Sequence, residues 1–108
     1  MLEDVARAFD LSDEAEVYIP IEESEAASIA VGILNRDLAY DTEIMSPARA
    51  AAFWQQFIQL FDGQRLCFFS NCRAGVHQWN PATNSTFDKG ILVVGESSSG
   101  CLWVEDED

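Results

Sequence analysis

Positive charge is what this sequence lacks most. Its 108 residues hold six Lys and Arg against nineteen Asp and Glu, which gives a formal net charge of −13. Lys89 is the single lysine, so the chain has no basic stripe that could neutralise phosphates. We therefore expect no binding to nucleic acid or to an anionic membrane, and the charge favours a basic protein as the partner.

Long apolar segments and paired cysteines are missing as well. No apolar run approaches the roughly 20 residues that a membrane span needs. Residues 1–4, MLED, lack the basic start and apolar stretch of a secretory signal. Cys67, Cys72 and Cys101 are an odd number without a disulfide framework. These absences predict a cytoplasmic protein with reduced thiols.

Apolar residues are abundant, at 48% of the chain, and they cluster in runs. A chain of this length can bury a core without a metal or a disulfide, so we expect a single acidic domain over residues 1–108. The acids concentrate at the two ends. Residues 1–25 carry nine acids against Arg7 alone, and residues 105–108 are all acidic. We expect those last four residues to form a frayed, solvated tail.

The clearest predicted element is a helix over residues 47–61. Ser46 is a good N-cap, Pro47 suits the first helical position, and Gly63 is placed to end the helix. A shorter amphipathic helix is predicted over residues 2–10. Strands are predicted over 16–21, with Pro20 indicating an edge strand or the end of a strand, and over 27–34, 38–45, 64–70, 74–79, 90–95 and 100–105.

These elements predict an α+β fold. We expect a mainly antiparallel sheet of six or seven strands packed on one central helix, residues 47–61. The apolar stripe of that helix consists of Ala50, Phe53, Trp54, Phe57 and Phe61.

Residues that could carry catalysis or bind a metal are few. Cys72 and His77 could form a nucleophile–base pair, and together with Cys67 and Cys101 they could form a zinc set. Neither pattern has the spacing typical of such sites, so we predict no catalytic residue, no metal and no cofactor. The Gly95-x4-Gly100 segment lacks the lysine and the following helix of a phosphate loop, and it predicts a hairpin.

The acidic residues near the N-terminus are the candidate binding residues. They form either an ordinary solvated face or a recognition surface for Lys and Arg. Aromatic residues beside acids are typical anchors in protein interfaces, and they are also common in cores. The predicted binding set is Asp13, Glu14, Glu16, Glu22, Glu23, Glu25, Trp79 and Trp103.

One segment resembles a known family. Residues 89–104, KGILVVGESSSGCLWV, form an apolar strand that ends in Gly, a short Gly/Ser turn and a returning apolar strand. This segment resembles the strand-turn-strand of SMI1/KNR4 (SUKH) proteins. The resemblance implies an immunity protein that neutralises a nuclease or another toxin. The acidic residue, Leu-Pro and helix that usually open that family are not found near residue 20.

Three functional hypotheses follow. The first is an acidic protein-binding module that neutralises a basic partner, either a toxin or a nucleic-acid-binding protein whose ligand the chain mimics. The alternative is a small-ligand-binding protein, monomeric or a homodimer, with an apolar pocket between the Phe53–Phe61 helix and the sheet and a preference for cationic amphiphiles. The third is an enzyme that uses Cys72 and His77. Acids on a convex face favour the first, and an apolar cavity with inward carboxylates favours the second.

Overall fold

The structure is a computed structural model that describes residues 1–107. Within them, four strands form one antiparallel sheet in the order β1-β2-β3-β4. The predicted α+β class is confirmed, whereas the six or seven strands around one central helix are wrong. In chain order the elements are helix α1 (Leu2–Ala8), a 3₁₀ turn (Ala15–Val17), strand β1 (Ile19–Ile21), helices α2 (Glu23–Asn35) and α3 (Pro47–Gln59), and strands β2 (Leu66–Ser70), β3 (Phe87–Gly95) and β4 (Ser99–Asp106).

Helix α2 replaces the strand predicted over residues 27–34. Ala26, Ile29, Ala30 and Ile33 stand at i, i+3, i+4 and i+7, and all four are buried on one face. β-Branched residues such as Ile have only a weak intrinsic bias against helices, and tertiary packing overrides it here. The strand prediction was therefore wrong because it weighed residue type above spacing.

The strand predicted over residues 38–45 is a loop. The Asn35 side-chain amide donates a hydrogen bond of 2.7 Å to the Met45 carbonyl. The Asp37 carboxylate accepts hydrogen bonds from the next residues of the same loop. These local bonds occupy backbone groups that a strand would need for its ladder. Residues 74–79 are likewise a loop, closed by an isolated bridge between Cys72 and Trp79.

Helix α3 begins as predicted and ends earlier. The Arg49 N–H donates to the Ser46 hydroxyl at 3.2 Å, and Pro47 occupies the first helical position. The helix ends at Gln59, and Gly63 follows with a positive φ of 81°. Because α2 lies against the sheet and α3 packs mainly on α2, α3 is not the central helix that the sequence predicts.

Both faces of the sheet are covered. Side chains alternate along β3, so Ile91 and Val93 join the core beneath α2 and α3, while Leu92 joins a second core beneath α1. All three are fully buried. This two-sided burial explains the continuous apolar run at residues 91–94, which is typical of a central strand.

The two edges of the sheet are strands β1 and β4. Pro20 lies in edge strand β1, as predicted, where its missing N–H costs no ladder bond. At the other edge, β4 continues through Asp106, whose carboxylate accepts hydrogen bonds of 3.2 Å from the Leu38 and Ala39 N–H groups. Part of the predicted tail over 105–108 therefore belongs to the sheet, and Asp108 lies outside the described residues.

The predicted hairpin at residues 95–100 is confirmed. It joins β3 to β4, and the Gly95 N–H donates to the Ser98 carbonyl at 3.0 Å. Gly100 is required by packing, because a Cβ there would lie 2.3 Å from Cζ of Phe61. No helix within residues 1–107 is long and apolar enough to cross a membrane.

Candidate binding surfaces

The predicted acidic residues flank the edge strand β1. Asp13, Glu14 and Glu16 precede the strand, and Glu22 and Glu23 follow it at the start of α2. All five side chains are exposed. The structure therefore collects most of the predicted acidic set at the two ends of one short strand.

Two members of the predicted set have partners within the chain. Glu25 is half-buried and accepts hydrogen bonds from Arg73 at 2.8 and 3.0 Å and from the Ala74 N–H at 3.0 Å. The Arg73 bonds and then the Ala74 bond lower the pKa of the Glu25 carboxyl. Asp13 forms a salt bridge with Arg7 at 3.2 Å. Glu25 therefore holds the loop over residues 72–77 onto α2 rather than facing a partner.

The remaining acids are free of such partners. Glu14, Glu16, Glu22 and Glu23 form no salt bridge with any described residue, and their side chains accept no hydrogen bond from residues 1–107. They are available to a cation from outside the chain.

Glu22 and Glu23 also border a shallow depression. It has a volume of about 340 Å³ and lies beside β1 and β2. Its other lining residues are mostly apolar, so the depression combines two free carboxylates with an apolar floor. The sequence pattern identified the two acids but not the floor, whose exposed part is Pro20, Cys67 and Phe69 on one face of the sheet.

A larger groove lies on another part of the surface. Its volume is about 420 Å³, and its walls are the second half of α2 and the loops over residues 35–41 and 72–77. Three of the six Lys and Arg residues, Arg36, Arg73 and Lys89, line it together with His77. Asp37 and Asp41 line it as well, so the groove mixes both signs of charge and brings together three cations that sequence analysis missed.

The cations of this groove differ in their pairing. Arg73 is held by Glu25, as described above, and Arg36 lies 3.9 Å from the Asp41 carboxylate. Lys89 has no carboxylate partner among the described residues. Its ammonium lies 5.6 Å from the centroid of the Trp79 ring and donates to a backbone carbonyl at 3.3 Å.

The two predicted aromatic anchors pack inward. Trp79 is half-buried, with its ring 5.5 Å from that of Phe87. Trp103 is half-buried too, and its ring lies 6.2 Å from that of Tyr18. Its indole N–H donates to the Asp88 carboxylate at 3.3 Å. Both side chains stabilise the fold, and their role in an interface stays a prediction.

Asp88 is a buried carboxylate that sequence analysis did not single out. It is 0% exposed, and it accepts hydrogen bonds from the Asn71 amide at 2.9 Å, from the Ala82 N–H at 3.1 Å and from Trp103. No buried side-chain polar atom in residues 1–107 lacks a partner. Because its acceptors are occupied, Asp88 serves to fix the loop over residues 80–84 to the sheet.

The thiols differ in their exposure. Cys72 is buried beneath the groove, and burial raises its pKa; burial also raises the pKa of Cys101 to about 11. His77 is exposed, and no hydrogen bond joins it to Cys72. Residues 1–107 contain no group of three or more His, Cys, Asp or Glu side chains that could hold a metal ion.

Comparisons of the chain with protein-family models, with curated proteins and with solved structures find no match. The segment that resembles SMI1/KNR4 proteins, residues 89–104, spans β3 and β4. That resemblance stays a prediction.

Proposed function

We propose that this chain is an acidic protein-binding module that neutralises a basic protein. The observation that carries the proposal is the depression bordered by Glu22 and Glu23, where two unpaired carboxylates stand over an apolar floor. Glu14 and Glu16, exposed on the segment before β1, add two further unpaired carboxylates.

The depression can accommodate both the alkyl stem and the charged head of a lysine or arginine side chain. The alkyl stem of such a side chain covers apolar surface, here Pro20 and Phe69, which are paired across β1 and β2, while its charged head stays in water beside a carboxylate. Each exposed carboxylate–cation contact contributes roughly 0.2–1 kcal/mol. The net charge of −13 adds long-range attraction, which speeds the encounter with a basic partner.

The partner class follows from the same chemistry. Proteins that bind nucleic acid or other phosphates present Lys and Arg, and an ordered set of carboxylates competes for those side chains. The resemblance of residues 89–104 favours a toxin as the basic partner, with the chain as its immunity protein. We also propose a cytoplasmic location, which the three unpaired thiols support.

A fluorescent oligolysine peptide tests the site directly. We expect saturable binding by fluorescence anisotropy, and we expect the double variant Glu22→Gln, Glu23→Gln to weaken it. Loss of two exposed contacts corresponds to about a 2- to 30-fold rise in Kd. The matched control is Glu43→Gln, Asp62→Asn, which removes the same two charges from exposed side chains outside the depression.

The control separates a site from a general effect of charge. If both double variants weaken binding equally, the peptide responds to net charge and the assignment to the depression is wrong. Absence of any oligolysine binding would contradict the proposed function as a whole. A labelled oligoglutamate peptide should not bind in either case, because like charges repel.

A further inference from the structure

The groove between α2 and the two loops has one cation that the chain leaves without a counter-ion. Lys89 is half-buried, and an ammonium group can donate three hydrogen bonds. Its ammonium makes one, to the Val76 carbonyl, and otherwise lies near the Trp79 ring. In a chain with nineteen acids, a half-buried lysine without a carboxylate partner in the described structure is available to an external anion.

The carboxylates near the groove are already engaged. Asp37 accepts hydrogen bonds from the Tyr40 and Thr42 N–H groups at 2.9 and 3.2 Å. Asp41 lies beside Arg36, and Glu25 beside Arg73. Asp41 and Glu25 are each paired with an arginine and Asp37 is bonded to its own loop, so none of the three forms a salt bridge with Lys89.

Gly32 supplies an independent observation. It lies inside α2 and lines the groove, and a Cβ at this position would meet no atom within 4 Å. Packing therefore does not require a glycine here. Glycine in a helix interior is about 1 kcal/mol less favourable than alanine. Glycine at this position leaves the groove open where a larger side chain would fill it.

The floor of the groove is apolar. Ile29, Ile33 and Leu38 line it beside the charged groups, and Cys72 closes its base. A volume of about 420 Å³ falls within the range of small-molecule sites, roughly 300–1,000 Å³. Such sites combine an apolar lining with a few polar groups that orient the ligand.

We propose that this groove binds a small carboxylate with an apolar body, whose carboxylate contacts Lys89 and whose body lies along α2 at Gly32. This site is separate from the acidic depression beside β1. The proposal reverses the preference for cationic amphiphiles and relocates the pocket that the sequence suggested, because the cavity lies between α2 and the loops and Lys89 is its cation without a salt bridge to a described residue.

Octanoate is the probe, and isothermal titration calorimetry is the measurement. We expect one saturable site for octanoate. Lys89→Gln should raise its Kd about tenfold, as expected for loss of a hydrogen bond to a charged group. Gly32→Leu should abolish binding, because it fills the groove with a side chain that favours the helix. Arg65→Gln, which removes an exposed cation outside the groove, should leave the Kd unchanged.

The Tm of each variant distinguishes a filled groove from a misfolded protein. Gly32→Leu should fold at least as stably as the parent chain, so a lost site in a variant of equal or higher Tm reflects the filled groove. Octylammonium has the same tail and the opposite charge. Its binding to the protein should not change in Lys89→Gln or in Gly32→Leu. Absence of octanoate binding, or octanoate binding that survives Gly32→Leu, would overturn the proposal.

Discussion

Replacing Trp54 with alanine tests where helix α3 faces. Trp54 is 2% exposed, and its ring centroid lies 5.7 Å from that of Phe57 and 6.3 Å from that of Phe68. Removal of a Trp or Phe from a core costs about 3–5 kcal/mol, since both burial and packing are lost. The higher helix propensity of alanine offsets roughly 0.5 kcal/mol of that loss. We expect Trp54→Ala to lower the free energy of unfolding by about 3–4 kcal/mol.

The loss should be visible as a fall in Tm. Unfolding entropy near 60 °C is about 2.1 cal/mol/K per residue, so a chain of 108 residues loses about 4 °C per kcal/mol. Trp54→Ala should therefore lower Tm by about 12 to 16 °C. Urea unfolding at constant m-value gives the same quantity at room temperature.

Phe53 is the matched control, because it precedes Trp54 on the same helix and is 46% exposed. Half of a Phe side chain's burial contributes about 1 kcal/mol, and helix propensity offsets part of it, so Phe53→Ala should cost less than about 1 kcal/mol. Phe57 is half-buried, and its substitution should fall between the two. Equal losses for Trp54→Ala and Phe53→Ala would contradict the burial of Trp54 and the exposure of Phe53 on α3.

Three further predictions concern single side chains. Iodoacetamide at neutral pH should alkylate exposed Cys67 well before Cys101, whose thiol is protected by burial and by a pKa of about 11; mass spectrometry would detect the opposite order. The folded-state pKa of Glu25 is lowered, so the stability from its Arg73 contact is present above the ordinary glutamate pKa and is lost as pH falls below it. The Tm difference between the parent and Glu25→Gln should therefore shrink from pH 7 to pH 3, and a constant difference would contradict the pairing. Asp88→Ala should cost roughly 3 kcal/mol in urea unfolding, because it leaves several buried donors unpaired, and a loss under 1 kcal/mol would argue against that network.

The elements that sequence analysis predicted correctly are those with local signals. Helix α3 has Ser46 and Pro47 at its start, and the β3–β4 hairpin has a Gly- and Ser-rich turn. Helix α2 also had a local signal, the i, i+3, i+4, i+7 spacing from Ala26 to Ile33, but its Ile and Val content favoured a strand. Spacing was the better guide because burial of one face decides the structure of such a segment.

The candidate sites also differ in whether their residues are close together in the sequence. The acids beside β1 could be predicted, because they are close together in sequence. Pairing of Glu25 with Arg73 could not, because the two are 48 residues apart. The groove could not be predicted either. Its cations, Arg36, Arg73 and Lys89, come from three separate segments that meet only when α2 packs on the sheet.

The negative charge of the whole chain should favour binding at one proposed site and oppose binding at the other. The affinities of the two sites should therefore change in opposite directions with salt concentration. A net charge of −13 attracts oligolysine and repels octanoate before either reaches its site. The Debye length falls from about 30 Å at 0.01 M salt to about 10 Å at 0.1 M. The molecule measures 36 × 30 × 20 Å, so at the lower concentration most of its acids act on a ligand at the groove, and at the higher one only the nearby charges do.

Raising salt over this range should therefore weaken oligolysine binding and strengthen octanoate binding in the same protein. The contact with half-buried Lys89 is screened less than the repulsion from distant exposed acids, so the net effect on octanoate is favourable. Titrations at both salt concentrations measure the two Kd values. Octanoate binding that weakens with salt as oligolysine binding does would mean that exposed charge, rather than the groove, holds the carboxylate.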